Sequence, residues 1–328
     1  MAHRIQFTES GGPEVLQWVT ADLPAPGPGE ARVRATAVGV NYIDIYQRSG
    51  AYPVPLPAGL GFEAAGVVEA LGAGVEGLAV GQRVACVDGP AGAYAEARNH
   101  PAARLVPLPD GVSDEAAAAL MFKGLTAHML VKRIWRPRPG DWVLVHAAAG
   151  GVGSLLVPWL AHEGARVIGV VSTPEKARTV AALGAAACRV VPRGGSYADL
   201  AAEVRQLTGG AGVSVSFDSV GRDSLEASLD SLAPFGLLAS YGRSSGAPAP
   251  IDLADLGRRG SLAVQRPSFF HHVADPAALR AAAADLFALV AQGVLGVHIQ
   301  DRLPLKDAAR AHALLESRAT QGSIILVP

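Results

Sequence analysis

The chain has 328 residues, half of them apolar and 17% charged, with a formal net charge of −1. That balance belongs to a globular protein with room for two domains, and it argues against a surface built for nucleic acid. Two cysteines, Cys86 and Cys188, are too few for a disulfide framework and lack metal-ligand spacing, so they read as structural thiols in a reducing cytoplasm. The first six residues already carry charge and polarity, unlike a signal peptide, and no apolar run reaches the roughly 18 residues of a membrane span. A cytoplasmic protein is expected. Lysine occurs only at positions 123, 132, 176 and 306, which makes each one worth following.

The first hundred residues alternate short β-like runs (31–38, 65–71, 83–87) with Gly- and Pro-rich turns, the pattern of a barrel-like β domain. Ser113-Asp114-Glu115 then caps a long Ala/Leu helix. Past Pro137 the rhythm becomes strand and helix in alternation. Strands are predicted at 142–147, 166–172, 189–192, 213–220 and 236–242, with a last one at 261–266. Helices are predicted between them at 152–163, 174–183, 196–207 and 223–232. Such alternation is the sequence form of a parallel sheet with crossover helices, a doubly wound α/β domain. The tail (helix 276–292, strand 298–303, helix 306–317, strand 323–327) breaks this rhythm, so it is expected to return to the first domain. Expected boundaries are residues 1–122 with 267–328 for the β domain, and 123–266 for the α/β domain.

One turn carries chemistry. An apolar strand, Trp142 to Ala147, feeds into Ala148-Ala149-Gly150-Gly151-Val152-Gly153 and then an apolar helix. At such a turn backbone N–H groups converge on a helix N-terminus, where the dipole favours a phosphate. Gly150 and Gly151 let the backbone approach a pyrophosphate, Val152 opens the helix, and Gly153 lets helix and strand pack closely. Ala148 stands where the dinucleotide fingerprint has its first glycine, so the turn must be altered there. Pro158 falls inside the predicted helix and is expected to bend it.

The second strand decides which nucleotide fits. NAD sites commonly place an acid at its end to accept from the ribose 2′-OH. Here Ser172 occupies that point and Lys176 follows four residues later. A hydroxyl and an ammonium suit a 2′-phosphate, which a carboxylate would repel. The expected cofactor is NADPH (NADP). Ser219, Gly242 and Ser244 follow predicted strand ends, where doubly wound sheets bind ligands.

Taken together, Asn41-Tyr42-Ile43-Asp44, Gly59 to Gly66, Phe122-Lys123-Gly124-Leu125-Thr126, His146 to Gly153 and Glu316 to Gly322 resemble the medium-chain dehydrogenase/reductases. More narrowly they are similar to the zinc-free NADPH:quinone oxidoreductases, the zeta-crystallin branch, over essentially the whole chain. The resemblance implies a discontinuous GroES-like β-barrel domain and a central Rossmann domain, acting as a homodimer. It places Tyr46, Lys123 and Thr126 near the nicotinamide end, with pairing to a structural carboxylate the alternative for Lys123. It brings Arg318 toward the cofactor from the tail. Near the adenine, where relatives often have Tyr, this chain reads Pro192-Arg193, and Arg193 is a candidate to stack on the base or meet the 2′-phosphate.

Zinc-dependent members carry Cys where this chain has Asn41 and His where it has Phe62, and neither substitute is a catalytic zinc ligand. No metal is expected. Hydride transfer without a metal suits an acceptor that is already electrophilic, a quinone or another conjugated carbonyl. Asn41, Tyr46, Tyr52 and Phe62 are the candidate substrate-pocket residues. Among them Asn41 is a candidate donor to the acceptor oxygen or the ribose, and Tyr52 a candidate hydrogen-bond partner or proton relay. Enone or enoyl reduction, and a weakly catalytic crystallin-like or RNA-associated role, remain the alternatives. His271-His272 falls in a predicted loop, and His128 and His312 fall on predicted helices with no nucleophile beside them.

Overall fold

The computed structural model describes residues 1–317 and 319–328. It divides into two compact units: Met1–Leu125 with Phe270–Gln292 and Val297–Pro328, and Thr126–Phe269 with Gly293–Gly296.

The second unit is built on six strands in the order Ala187–Val190, Arg166–Val171, Trp142–His146, Val213–Asp218, Leu232–Ser240, Ala263–Gln265. Every neighbouring pair is parallel. Crossover helices cover parallel sheets on both faces, so central strands are apolar without alternation. Val143, Leu144 and Val145 are accordingly all fully buried. Leu144, Ile168, Val170, Leu238 and the helix residues Leu200, Val204, Leu225 and Leu229 make one core. The order 3-2-1-4-5-6 in sequence terms reverses direction between Trp142–His146 and Val213–Asp218. That is the switch point at which such sheets open a crevice beyond their carboxyl ends.

Element boundaries depart from the sequence expectation where local turns intervene. The helix expected from 196 starts only at Leu200; before it Ala198 N–H donates to Ser196 Oγ and Leu200 N–H closes a turn onto Tyr197 O. The strand expected from 236 begins at Leu232, through a register shift opposite Val213–Val215; exposed Phe235 lies in this irregular stretch at φ 62°. The helix Gly153–His162 runs through Pro158. Asp114–His128 continues into a π-helical turn, Met129–Ile134. His271 and His272 lie in a one-turn helix, Phe269–His272, rather than a loop, with Phe269 buried.

In the first unit the strand Glu30–Gly39 pairs antiparallel with Ala64–Leu71, with Ala97–Pro101 and with the tail strand Ser323–Val327. Ile325 stands opposite Gly39 and Leu326 opposite Val38, while Ile299–Pro304 flanks the tail strand in parallel. Both ends of the chain therefore build one seven-stranded sheet, and Phe7, Val33, Val38, Leu60, Leu303, Ile324 and Leu326 share its core. The tail helix Pro276–Ala291 is capped by Asp275, whose carboxylate accepts from Ala278 N–H. Its Leu286 packs where a side chain on Gly124 would stand, 2.6 Å from an added Cβ.

His100, 1% exposed in this unit, has its Nδ1 2.7 Å from Arg98 Nη2, which donates. Burial, with the Arg98 charge second, pushes its pKa down to about 2. The neutral ring thus contributes stability fully above pH 6.5, and that contribution is lost as pH falls toward 2. Each pH unit below 6.5 costs about 1.4 kcal/mol. His100→Gln should therefore lose about 2 kcal/mol less stability than the parent between pH 7 and pH 5, measured by urea unfolding at both pH values.

Candidate functional site

The phosphate turn sits at the carboxyl end of Trp142–His146. Ala148 N–H donates to Val170 O (3.0 Å) and Gly150 N–H to Ala147 O (2.8 Å), so the turn is tied to the neighbouring strand and closed on itself. Its left-handed residue is Ala147, at φ 48°, one position before the fingerprint glycine. A non-glycine residue there is strained by about 1 kcal/mol or more. The methyl of Ala148 is accommodated across the sheet by Gly169, where an added Cβ would stand 3.1 Å from it. Gly153 is required outright, since a Cβ there would reach Ala148 Cα at 2.7 Å. The helix it opens leaves its first N–H groups without intrahelical acceptors.

The other sequence candidates of this unit gather at the same sheet edge. Ser172 directly follows Arg166–Val171. Lys176 lies in the first turn of Pro174–Ala182, which Thr173 caps by accepting from Lys176 N–H; burial lowers the Lys176 pKa. Arg193 is exposed, three residues beyond Ala187–Val190. Ser219 and Gly242 touch: a Cβ on Gly242 would lie 2.7 Å from Ser219 Cα, and Ser244 N–H donates to Ser219 O (3.1 Å). Thr126 is buried in this unit. Arg318 lies outside the described residues.

A buried network missed at the sequence level fixes that edge. Asp218 Oδ1 accepts from Val220 and Gly221 N–H, and Oδ2 accepts from the hydroxyls of Ser224 and Ser228, both at 2.7 Å. The Ser228 proton being committed to Asp218, His146 Nε2 donates to Ser228 Oγ at 2.9 Å. Burial holds His146 below the ordinary histidine range. The network joins the ends of the first and fourth strands and so sets where Ser219 stands.

In the first unit the candidates split into two groups. Asn41 caps the helix Tyr42–Arg48, and Asp44 Oδ2 accepts from Asn41 N–H (2.8 Å). This helix carries Tyr46, whose ring lies 5.1 Å from that of Tyr52; Tyr52 N–H donates to Tyr46 O. Phe62 packs with Phe122 and Phe270 at centroid distances of 6.4 and 5.0 Å. Phe270 has no sequence signal, and Phe122 has one only as the first residue of the Phe122–Thr126 motif.

Joining the groups is Glu63, completely buried. Its Oε2 accepts from Asn41 Nδ2 (2.9 Å), its Oε1 from Phe122 N–H (2.7 Å), and Lys123 Nζ stands 3.6 Å away. Burial raises the Glu63 pKa, with Lys123 opposing. A second line of groups, buried apart from the half-exposed Glu316, holds this helix. Arg48 forms a bidentate pair with Glu316 (2.8 and 3.0 Å) and donates to His312 Nδ1, whose Nε2 faces Tyr94 OH at 3.1 Å; Tyr94 donates to Asp44 Oδ2 at 3.0 Å. Burial lifts Asp44 to about 7 and lowers His312 to about 3. His312 is thus a structural link between the tail helix and Tyr42–Arg48.

Comparison with known proteins agrees with this layout. Residues 27–110 match the alcohol dehydrogenase GroES-like domain, and residues 151–286 match the zinc-binding dehydrogenase domain. A quinone oxidoreductase of Pseudomonas aeruginosa is 46% identical over the whole of both chains. A 2-haloacrylate reductase of a Burkholderia species is 44% identical, covering 98% of this chain and 97% of its own. The crystal structure of Escherichia coli quinone oxidoreductase complexed with NADPH superposes with a TM-score of 0.95, at 44% identity and full coverage of both chains.

The residues present do not fit the zinc that the second domain's name implies. Among the described residues no group of three His, Cys, Asp or Glu is placed to hold a metal, and Glu63 already faces an ammonium and an amide. With one doubly wound unit, one β unit drawn from both chain ends, and full-length relatives of this kind, the chain belongs to the medium-chain dehydrogenase/reductase superfamily, in its quinone oxidoreductase family.

Proposed function

We propose that this chain is a zinc-independent NADPH:quinone oxidoreductase. The observation that carries the cofactor is the gathering of Gly150, Gly151, Val152, Ser172, Lys176, Ser219, Gly242 and Ser244 at the carboxyl ends of one parallel sheet, with a serine and a lysine where an NAD site has an acid. The glycines of the turn leave room for a pyrophosphate, and Ser172 with Lys176 suits a 2′-phosphate. Arg193 extends this reading toward the adenine, Thr126, Lys123 and Tyr46 toward the nicotinamide.

The bound dinucleotide supplies a hydride; the chain's own residues orient the acceptor and exclude water. Phe62, with its aromatic partners, supplies flat apolar contact of the kind a quinone ring stacks on. Tyr46 and Tyr52 pair ring to ring, and their hydroxyls are the proposed hydrogen-bond partners of an acceptor oxygen. Asn41 Nδ2 donates to Glu63, so its role is to hold that carboxylate as much as to meet a substrate. Reduction of a conjugated alkene is the second reading, favoured by the Burkholderia relative's name. A homodimer belongs to the same proposal: Ala263–Gln265 ends the sheet with all three residues exposed, an edge a second copy can extend. No described helix is long and apolar enough to cross a membrane.

An acceptor panel run with both nucleotides tests the assignment. NADPH oxidation is expected with 1,4-benzoquinone and 9,10-phenanthrenequinone, with kcat/KM for NADH lower by an order of magnitude or more, about one charge-assisted hydrogen bond. Faster reduction of enones than of every quinone would move the assignment to the second reading. Lys176→Ala should raise KM for NADPH about tenfold and leave NADH kinetics unchanged; equal loss with both nucleotides would remove the 2′-phosphate role.

A further inference from the structure

Lys123 is 6% exposed, and among the described residues its Nζ makes no hydrogen bond. The nearest anion, Glu63 Oε2, stands off at 3.6 Å, beyond hydrogen-bonding range. A buried ammonium with three unanswered N–H groups is costly, and a pair that served only the fold would close to about 2.8 Å. Glu63 does not close because its orientation is set elsewhere: Oε1 is held by Phe122 N–H, and Oε2 by Asn41 Nδ2. The lysine is therefore held by a neighbour that leaves its N–H groups available.

Its surroundings say what those protons meet. Lys123 Nζ and the Phe122 N–H face the same Glu63 carboxylate, and the Phe122 ring packs with those of Phe62 and Phe270.

We infer that Lys123, held by Glu63 and through it by Asn41, is the proton donor to the oxygen of the conjugated acceptor. The inference rests on the reductase reading. Hydride addition leaves the acceptor with two more electrons and an oxyanion; one N–H bond of Lys123 breaks as the O–H bond forms. The lysine is left as a neutral amine beside Glu63 until water returns its proton. Lys123 is then a catalytic residue, and Glu63 and Asn41 are positioning residues.

Lys123→Met would strand a buried carboxylate, so the charge-neutral pair Lys123→Met/Glu63→Gln is measured beside it and beside Lys123→Arg. With 1,4-benzoquinone, kcat should fall on the order of 100-fold or more in all three, since arginine keeps the charge but does not release its proton. With tetrachloro-1,4-benzoquinone, whose product oxyanion is far less basic, the loss should shrink to a few fold. NADPH affinity, followed by fluorescence titration, should fall far less than kcat. Equal loss with both quinones, recovery by Lys123→Arg, or a loss confined to NADPH affinity would each overturn the inference while leaving the reductase reading standing. Absence of quinone reduction by the parent protein would instead overturn the reading on which the inference rests.

Discussion

A carboxylate with no access to water must have its oxygens answered by donors, or it destabilises the fold by several kcal/mol. Glu63 is such a group, and its donors come from two other segments of the first unit. The side chain of Asn41 is drawn to it from the start of Tyr42–Arg48, and the backbone of Phe122 from inside Asp114–His128. Meeting at one carboxylate determines where Phe62, Phe122, Lys123 and Tyr42–Arg48 stand relative to one another. The same helix is secured at its other end by Arg48, through Glu316 and His312 of the tail. A segment nearly three hundred residues away thereby helps position Tyr46 and Asn41.

The second unit solves a different problem with the same economy of means. Its sheet brings several strand ends to one edge, but edges of loops are soft unless tied. The Asp218 carboxylate ties them, accepting four hydrogen bonds and drawing His146 in through Ser228. The phosphate turn is then free to depart from the usual glycine pattern. Its left-handed position moves to Ala147, and the extra methyl of Ala148 fills space that Gly169 leaves open. Two departures that look unrelated in the linear chain are one compensated packing change.

Much of this was legible in the amino-acid order. Central strands of a parallel sheet are apolar throughout, so 142–147, 166–172 and 213–220 announced themselves to within two residues. Ser172 and Lys176 were legible because an absent acid at a strand end is a local fact. Boundaries failed where turns governed them, at Leu200 and Leu232. Glu63 stands inside the Gly59–Gly66 motif, but nothing local marks a single acid there as a buried anchor, and Phe122 and Phe270 look like aromatic residues of any core. His312 looked idle since its partners, Arg48 and Tyr94, lie more than two hundred residues away.

The sequence by itself determined the doubly wound unit, the phosphate turn and the kind of nucleotide that suits it, because each depends on periodicity or on spacing within one βα unit. Only the tertiary structure decided that Lys123 faces Glu63 at a distance too great to bond, that Asn41 serves that carboxylate, and that three phenylalanines form one wall. Those relations depend on where separate segments meet. Burial then magnifies them, because in a medium with little water a few tenths of an ångström separates a satisfied charge from one still waiting for a partner.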